Sequence, residues 1–255
     1  MEATSAASDV LRRYALTIGD TSLILAQRLG EWIGHAPALE EDLALANIAL
    51  DLLGQARYLL SHAAQLQGGG TEDDLAFLRD PQDFSNLSLV EQPNGDFGQT
   101  IVRQFLIDAW QLELFERLQQ SSEPKLAELA AKAIKETRYH FRFSSGWMVR
   151  LGDGTEESHR RVQTALDALW RFTHEMFVAS PVEQEAAALG IGPDPASLAA
   201  GWASRVEEVL QEATLKRPAD VAYSWHGKRG QHSEHLSRLL AEMQIMQRTY
   251  PGAQW

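Results

Sequence analysis

Apolar residues recur along this chain at the three- and four-residue spacing of amphipathic helices, and no stretch of useful length alternates as a strand would. Leu11, Ala15, Ile18, Ser22, Leu25 and Leu29 form one stripe and predict a helix over residues 8–34. Gly34-His35-Ala36-Pro37 breaks it. A second helix is expected over residues 39–66, with Glu40, Glu41 and Asp42 in its first turn, where the helix dipole favours acids. From Leu43 to Leu60 it is apolar almost all round, apart from Asn47, Asp51, Gln55 and Arg57. That pattern suits a helix covered on more than one side. A long connection follows Gly68-Gly69-Gly70 and runs to Asp96. It contains a short helix opened by Thr71, with Asp74 as capping-box partner, and the turn Pro93-Asn94-Gly95. A third helix fits residues 97–120. A fourth fits residues 124–151, opened by Pro124 and stopped by Gly152 and Gly154. Three more fit residues 156–178, 195–216 and 233–248. The expectation is one all-α domain over residues 1–255, with a core bundle at about 8–151 and additional helices at about 156–250.

Composition narrows the chemistry. The chain has 255 residues, 44% of them hydrophobic, enough for a sizeable core. It has no cysteine, which excludes disulfides, thiol nucleophiles, iron–sulfur clusters and cysteine-based zinc sites. A formal charge of -12 argues against nucleic acid or an anionic membrane as partner. The N-terminus lacks a basic region followed by an apolar run, so no signal peptide is expected. No apolar stretch reads as long and uncharged enough to span a bilayer. A cytoplasmic protein is the expectation.

The four long helices each carry an acid or imidazole near the middle: Asp20, Asp51, Asp108, and Glu136 with His140. That is where a ferritin-like four-helix di-iron protein places its ligands, one carboxylate from each of two helices and a Glu-x-x-His pair from each of the other two. Here the set is broken. The third residue after Asp51 is Gly54, and the third before His140 is Thr137. Glu136 and His140 are one residue too far apart for the motif, a rotation of about 100° on a helix. Glu156-x-x-His159 has the right spacing, but it opens a helix, where the dipole explains an acid, and no second copy exists. Asp108 lies on a stripe with Ile101, Phe105, Leu112 and Phe115, so it should be buried beside a cation or hydrogen-bond donor. His140 follows Leu129, Ala133 and Glu136 on a similar stripe. The five residues read as a metal-free, vestigial polar cluster with no catalytic residue. The competing readings are a stand-alone di-iron oxygenase or a ferritin-like iron protein built on the same acids.

Trp225-His226-Gly227-Lys228-Arg229-Gly230 precedes the last helix. Lys228 and Arg229 there could receive an anion, against the plainer reading of a basic surface loop. Gly-x-Ser-x-Gly, phosphate-loop and Gly-x-Gly-x-x-Gly motifs are absent.

Three runs carry a family likeness: LANIALDLLGQAR over residues 45–57, FSNLSLVEQPNG over 84–95 and KAIKETRYHFR over 132–142. The ending AEMQ at 241–244 and the terminal PGAQW add to it. Together they resemble the C subunits of bacterial phenylacetyl-CoA 1,2-epoxidases, over nearly the whole chain from about residue 10. The resemblance implies a ferritin-like subunit that does not perform the oxygen chemistry. It implies a homologous catalytic subunit holding the di-iron site, and a reductase carrying flavin and an iron–sulfur cluster. It implies no cofactor in this chain. Self-association is a further expectation. The apolar second helix and the seven tryptophans suggest an interface, because tryptophan is favoured at interface centres.

Overall fold

The computed structural model describes residues 2–221 and 225–253. The chain is all-α, and among the described residues the one bridge of β type joins His226 and Gln231. It divides into two compact units, residues 1–93 with 225–255, and residues 94–224.

The first unit is built on a helix pair, α1 (Glu2–Trp32) and α2 (Leu39–Gln67), packed along their length. A glycine sets their closest approach: a Cβ at Gly19 would lie 3.1 Å from Leu59 Cβ. After α2 the chain turns at Gly68, whose φ of 82° is left-handed and favours glycine. The connection to Asp96 is ordered by short pieces: α3 (Glu72–Phe77) and 3₁₀ turns at Pro81–Asp83 and Ser88–Glu91. The capping box at the start of α3 forms in both directions. The Thr71 hydroxyl accepts from Asp74 N–H at 3.2 Å, and Thr71 N–H donates to the Asp74 carboxylate at 2.7 Å. Two C-terminal helices, α9 (Glu234–Met243) and α10 (Ile245–Thr249), belong to this unit. Gln244 Nε2 donates to the carbonyls of Ala76 and Arg79, both at 3.0 Å, which fastens α9 and α10 to the connection.

The second unit centres on α4 (Phe97–Leu118), with every residue from Thr100 to Phe115 buried. Alongside it runs α5 (Pro124–Gly152), where Phe105 stacks on Phe141 at 5.8 Å and Phe97 meets Trp147 edge-on at 5.0 Å. Then come α6 (Glu156–Leu169), a 3₁₀ stretch at Trp170–Phe177, α7 (Pro181–Ala188) and α8 (Ala199–Glu212). Trp202 Nε1 on α8 donates to the Leu106 carbonyl at 3.0 Å, and Arg205 pairs with Glu113 at 2.8 Å.

Several expectations need correction. The helix expected over 156–178 leaves α geometry at Trp170 and continues as 3₁₀. The one expected over 195–216 begins as a 3₁₀ turn and stops at Glu212. The last divides at Gln244, the residue whose side chain is drawn to the connection. Helix α7 was not foreseen, although Ser180 and Glu183 form a capping box at its start. Helix α2 is long and apolar enough to cross a membrane by length and composition, contrary to the sequence expectation, and 44% of its most apolar window is buried. One side of α2 packs on α1, so its apolar character is partly that of a core helix. Of the tryptophans expected at an interface, Trp32, Trp110, Trp170 and Trp202 are buried within the chain, Trp147 and Trp225 are half-buried, and Trp255 lies outside the described residues.

The end of α5 lies so close to the end of α8 that a side chain at Gly152 has no room. A Cβ there would come 2.3 Å from the Ala213 carbonyl oxygen and 2.9 Å from its Cβ. Gly152→Ala should therefore destabilise the protein by about 1–3 kcal/mol, the usual cost of overpacking, although Gly→Ala in a helix ordinarily helps. Urea unfolding of the two proteins measures it, and an unchanged or raised midpoint would contradict this packing.

Candidate functional site

The mid-helix acids divide between the two units, with Asp20 and Asp51 in the first and Asp108, Glu136 and His140 in the second.

Asp108 has no solvent exposure, as its stripe predicted. Gln104, one turn earlier on α4, donates from Nε2 to Oδ1 at 2.6 Å, and Ser144 on α5 donates its hydroxyl to Oδ2 at 2.7 Å. His140 lies one turn before Ser144, is also fully buried, and stabilises the carboxylate electrostatically. Burial nonetheless dominates and pushes Asp108 up from its usual 3.8 to about 6. Two neutral donors and an imidazole do not replace the hydration that burial removes. Gln111 is buried on the same face of α4.

Asp20 is equally buried but differently matched. Arg79, from the connection, grips it with both terminal nitrogens, Nη1 donating to Oδ2 at 3.0 Å and Nη2 to Oδ1. Ser85 N–H adds a third bond at 2.9 Å. The guanidinium lies 4.1 Å over the Phe84 ring and also donates to the Asp83 carbonyl at 2.9 Å. Next to it, the Thr21 hydroxyl accepts from Leu87 N–H at 3.2 Å. Asp20 and Thr21 thus hold the connection against α1.

Asp51 and Glu136 are only half-buried, and Lys132 lies 3.7 Å from Glu136. Neither sits with Asp108 in the depth of its unit. Gly54 is exposed, and the Thr137 hydroxyl is spent on the Ala133 carbonyl at 2.9 Å. Among the described residues, no three His, Asp or Glu side chains gather where they could hold a metal.

A third buried carboxylate escaped the sequence reading. Glu91 has no solvent exposure. It accepts from Asn86 Nδ2 at 2.9 Å and from the Ser233 backbone N–H and hydroxyl at 2.8 and 2.6 Å. His232 Nδ1 lies 2.6 Å from it, while His232 Nε2 faces the Phe84 carbonyl at 2.9 Å. Two acceptors require two N–H donors, so the imidazolium is the form that satisfies both contacts. Arg28 Nε donates to the Glu91 carbonyl at 3.1 Å. The FSNLSLVEQPNG run, noted only for its likeness, is therefore where α1, the connection and the segment before α9 lock together.

Lys228 and Arg229 fall in a 3₁₀ turn, Gly227–Arg229, of which only Arg229 is open to solvent. Lys228 is buried, and Gly227 presses on the connection, where a Cβ would come 2.4 Å from the Asn86 carbonyl. The turn packs inward at the lysine and presents one cation, where sequence suggested two. A separate aromatic cleft of about 170 Å³ opens in the second unit between Trp170, Phe177 and Trp202, with Arg217 and Asp220 at its edge.

These features describe a helical protein whose mid-helix acids are engaged by arginine, amide and hydroxyl groups. The family model described as "Phenylacetic acid catabolic protein" matches residues 1–255, and the chain belongs to that family. It is 57% identical over 245 residues to the C subunit of the 1,2-phenylacetyl-CoA epoxidase of Escherichia coli (strain K12), a match covering 96% of this chain and 99% of the relative. The likeness first seen in three runs thus extends over almost the whole length.

Two outcomes follow from this geometry. Arg79→Met leaves Asp20 buried without its cation, which should cost about 3–5 kcal/mol and expose the 68–96 connection to proteolysis. A stability within about 1 kcal/mol of wild type would show that the pair is not the anchor. The second concerns pH. Asp108 is raised when folded, so the unfolded chain releases its proton first, and this residue's contribution falls as pH rises from about 4 to about 6. Above that it costs about 3 kcal/mol relative to an unperturbed acid. Asp108→Asn removes the titration, and its new N–H can meet Gln104 Oε1, which lacks a partner. The variant should gain on wild type between pH 4 and 6 and hold that gain at pH 7. A difference independent of pH would refute the assignment.

Proposed function

We propose that this chain is a non-catalytic, ferritin-like subunit of a multicomponent monooxygenase that converts phenylacetyl-CoA to its ring 1,2-epoxide. It acts by binding and supporting a homologous catalytic subunit that holds the di-iron site, while a separate reductase supplies electrons. The closeness to the C subunit of an epoxidase supports the substrate and the assembly. The side chains support the lack of a metal centre here. A guanidinium occupies the place beside Asp20 where a cation would bind, Asp108 is drawn toward its neutral form, and Gly54 and Thr137 offer no carboxylate or imidazole. Residues so engaged do not fit the ligands of two iron ions, and the oxygen chemistry belongs to the partner.

The observation that carries the supporting role is the outer face of α2. Leu39, Leu43, Ala46, Leu50 and Leu53 recur at alternating spacings of four and three, the seam of a helix that packs on another helix. The leucines are 69%, 55%, 64% and 42% exposed. Gly54 beside them has nothing within 4 Å of where a Cβ would stand, so a second backbone can approach closely. Apolar area of this kind belongs in an obligate interface, typically over ~2,000 Å².

Co-expression with the catalytic subunit tests the reading. A stable mixed complex should form, with epoxidation lost when this chain is omitted. Leu50→Glu with Leu53→Glu should abolish co-purification and leave the chain's own unfolding midpoint nearly unchanged, because both side chains are already exposed. The purified chain should carry no stoichiometric iron. Full epoxidation without this chain, or one to two irons per chain on elemental analysis, would end the proposal.

A further inference from the structure

The exposed face of α5 carries Lys135, Arg138, Arg142 and Arg150, spaced to lie along one side of the helix. All four are exposed, and none is paired with a carboxylate among the described residues. Arg117, Lys216 and Arg229 also lack a carboxylate among the described residues, but they stand singly, whereas these four share one side of one helix. Acids outnumber Lys and Arg by 35 to 23, and Arg12, Arg57, Arg160, Arg205, Arg217 and Arg238 each sit on one. On α5, Arg142 instead stands 5.6 Å over the ring of Tyr139, itself 42% exposed, and Arg150 stands 5.2 Å over Trp147. From Lys135 to Arg150 the ridge is roughly 22 Å long at 1.5 Å per residue. Arg138 and Arg142 are one turn apart, where like charges destabilise a helix. Helix stability does not explain the row.

We propose that this ridge is the docking surface for an acidic face of another subunit of the same complex, bound transiently. The inference rests on the chain being a complex subunit. The row runs along the exposed side of a single helix, which suits a protein face better than a small anion, since small-ligand sites are concave. Its charge is local on a chain of net charge -12, so it selects a partner by a matched row of carboxylates and not by bulk attraction. The long, unpaired side chains bury little apolar area, the mark of a salt-sensitive encounter in contrast to the apolar seam on α2.

The test uses the full chain and a variant carrying Lys135→Gln, Arg138→Gln, Arg142→Gln and Arg150→Gln. Binding of each remaining purified subunit is measured over a salt series, with sedimentation for self-association and free coenzyme A as a small phosphate-bearing probe. One acidic subunit should bind the wild type with a steep salt dependence and the variant about tenfold more weakly, as expected for several exposed ion pairs. The variant's unfolding midpoint and its assembly through α2 should be unchanged. Equal affinities of every subunit for both proteins would overturn the proposal. So would a loss confined to self-association, or one confined to coenzyme A. If the α2 leucine variant still assembles, the interface proposed there fails, and the salt series on the ridge is read independently of it.

Discussion

A carboxylate taken out of water must be given back what water supplied, and the partner decides what the carboxylate can then do. Among the described residues, three acids have no solvent exposure and answer that demand in three ways. Asp20 receives a guanidinium and a backbone N–H, Glu91 receives an imidazole, an amide and a serine, and Asp108 receives two neutral donors with an imidazole nearby. The first two pairings are strong and directional. Each ties chain segments far apart in sequence: Arg79 is 59 residues from Asp20, and His232 is 141 residues from Glu91. The polar groups therefore fix something that apolar packing alone would leave underdetermined, namely the path of the connection that follows α2.

Asp108 is the exception. Its donors are matched in number but weak in charge, so desolvation prevails and the acid is raised to about 6. Apolar replacement of such a group is often neutral or favourable, whereas removing one partner of an ion pair is not. The two halves of the broken ligand set have thus diverged physically. Asp20 anchors a loop, and Asp108 is a polar residue within a helix that is otherwise core on every side.

How much of this could be read from sequence depends on the range of each interaction. The long helices were legible, since periodicity, Pro124 and the glycines at 68–70 act within a turn or two. The Thr71–Asp74 capping box was legible for the same reason, and Ser180–Glu183 offered the same signal without being used. Asp108's burial followed from its stripe, and Gln104 at i−4 was available as a partner. Ser144 and Arg79 were not, because no local rule connects them to their acids. Nor was the inward turn of Lys228, which depends on Gly227 meeting the Asn86 carbonyl. The helix ends over 169–177 and 243–245 were misjudged where side-chain contacts, such as Gln244 to Ala76, override helical propensity.

The same distinction explains the outer surfaces. An apolar residue in a helix reads as core from sequence whether or not anything covers it, so Leu39, Leu43, Leu50 and Leu53 looked like the inner leucines of α2 until their exposure was known. A lysine or arginine reads as solvated whether or not it is paired, so the row on α5 did not stand out until many of the chain's other arginines were seen on their carboxylates. Both surfaces depart from what folding of a single chain requires. Exposed leucines at helix-packing spacing gain only when another apolar face removes them from water, and unpaired like charges gain only when opposite charge approaches. The two surfaces therefore call for partners of different chemistry, an apolar helix face for α2 and a row of carboxylates for α5.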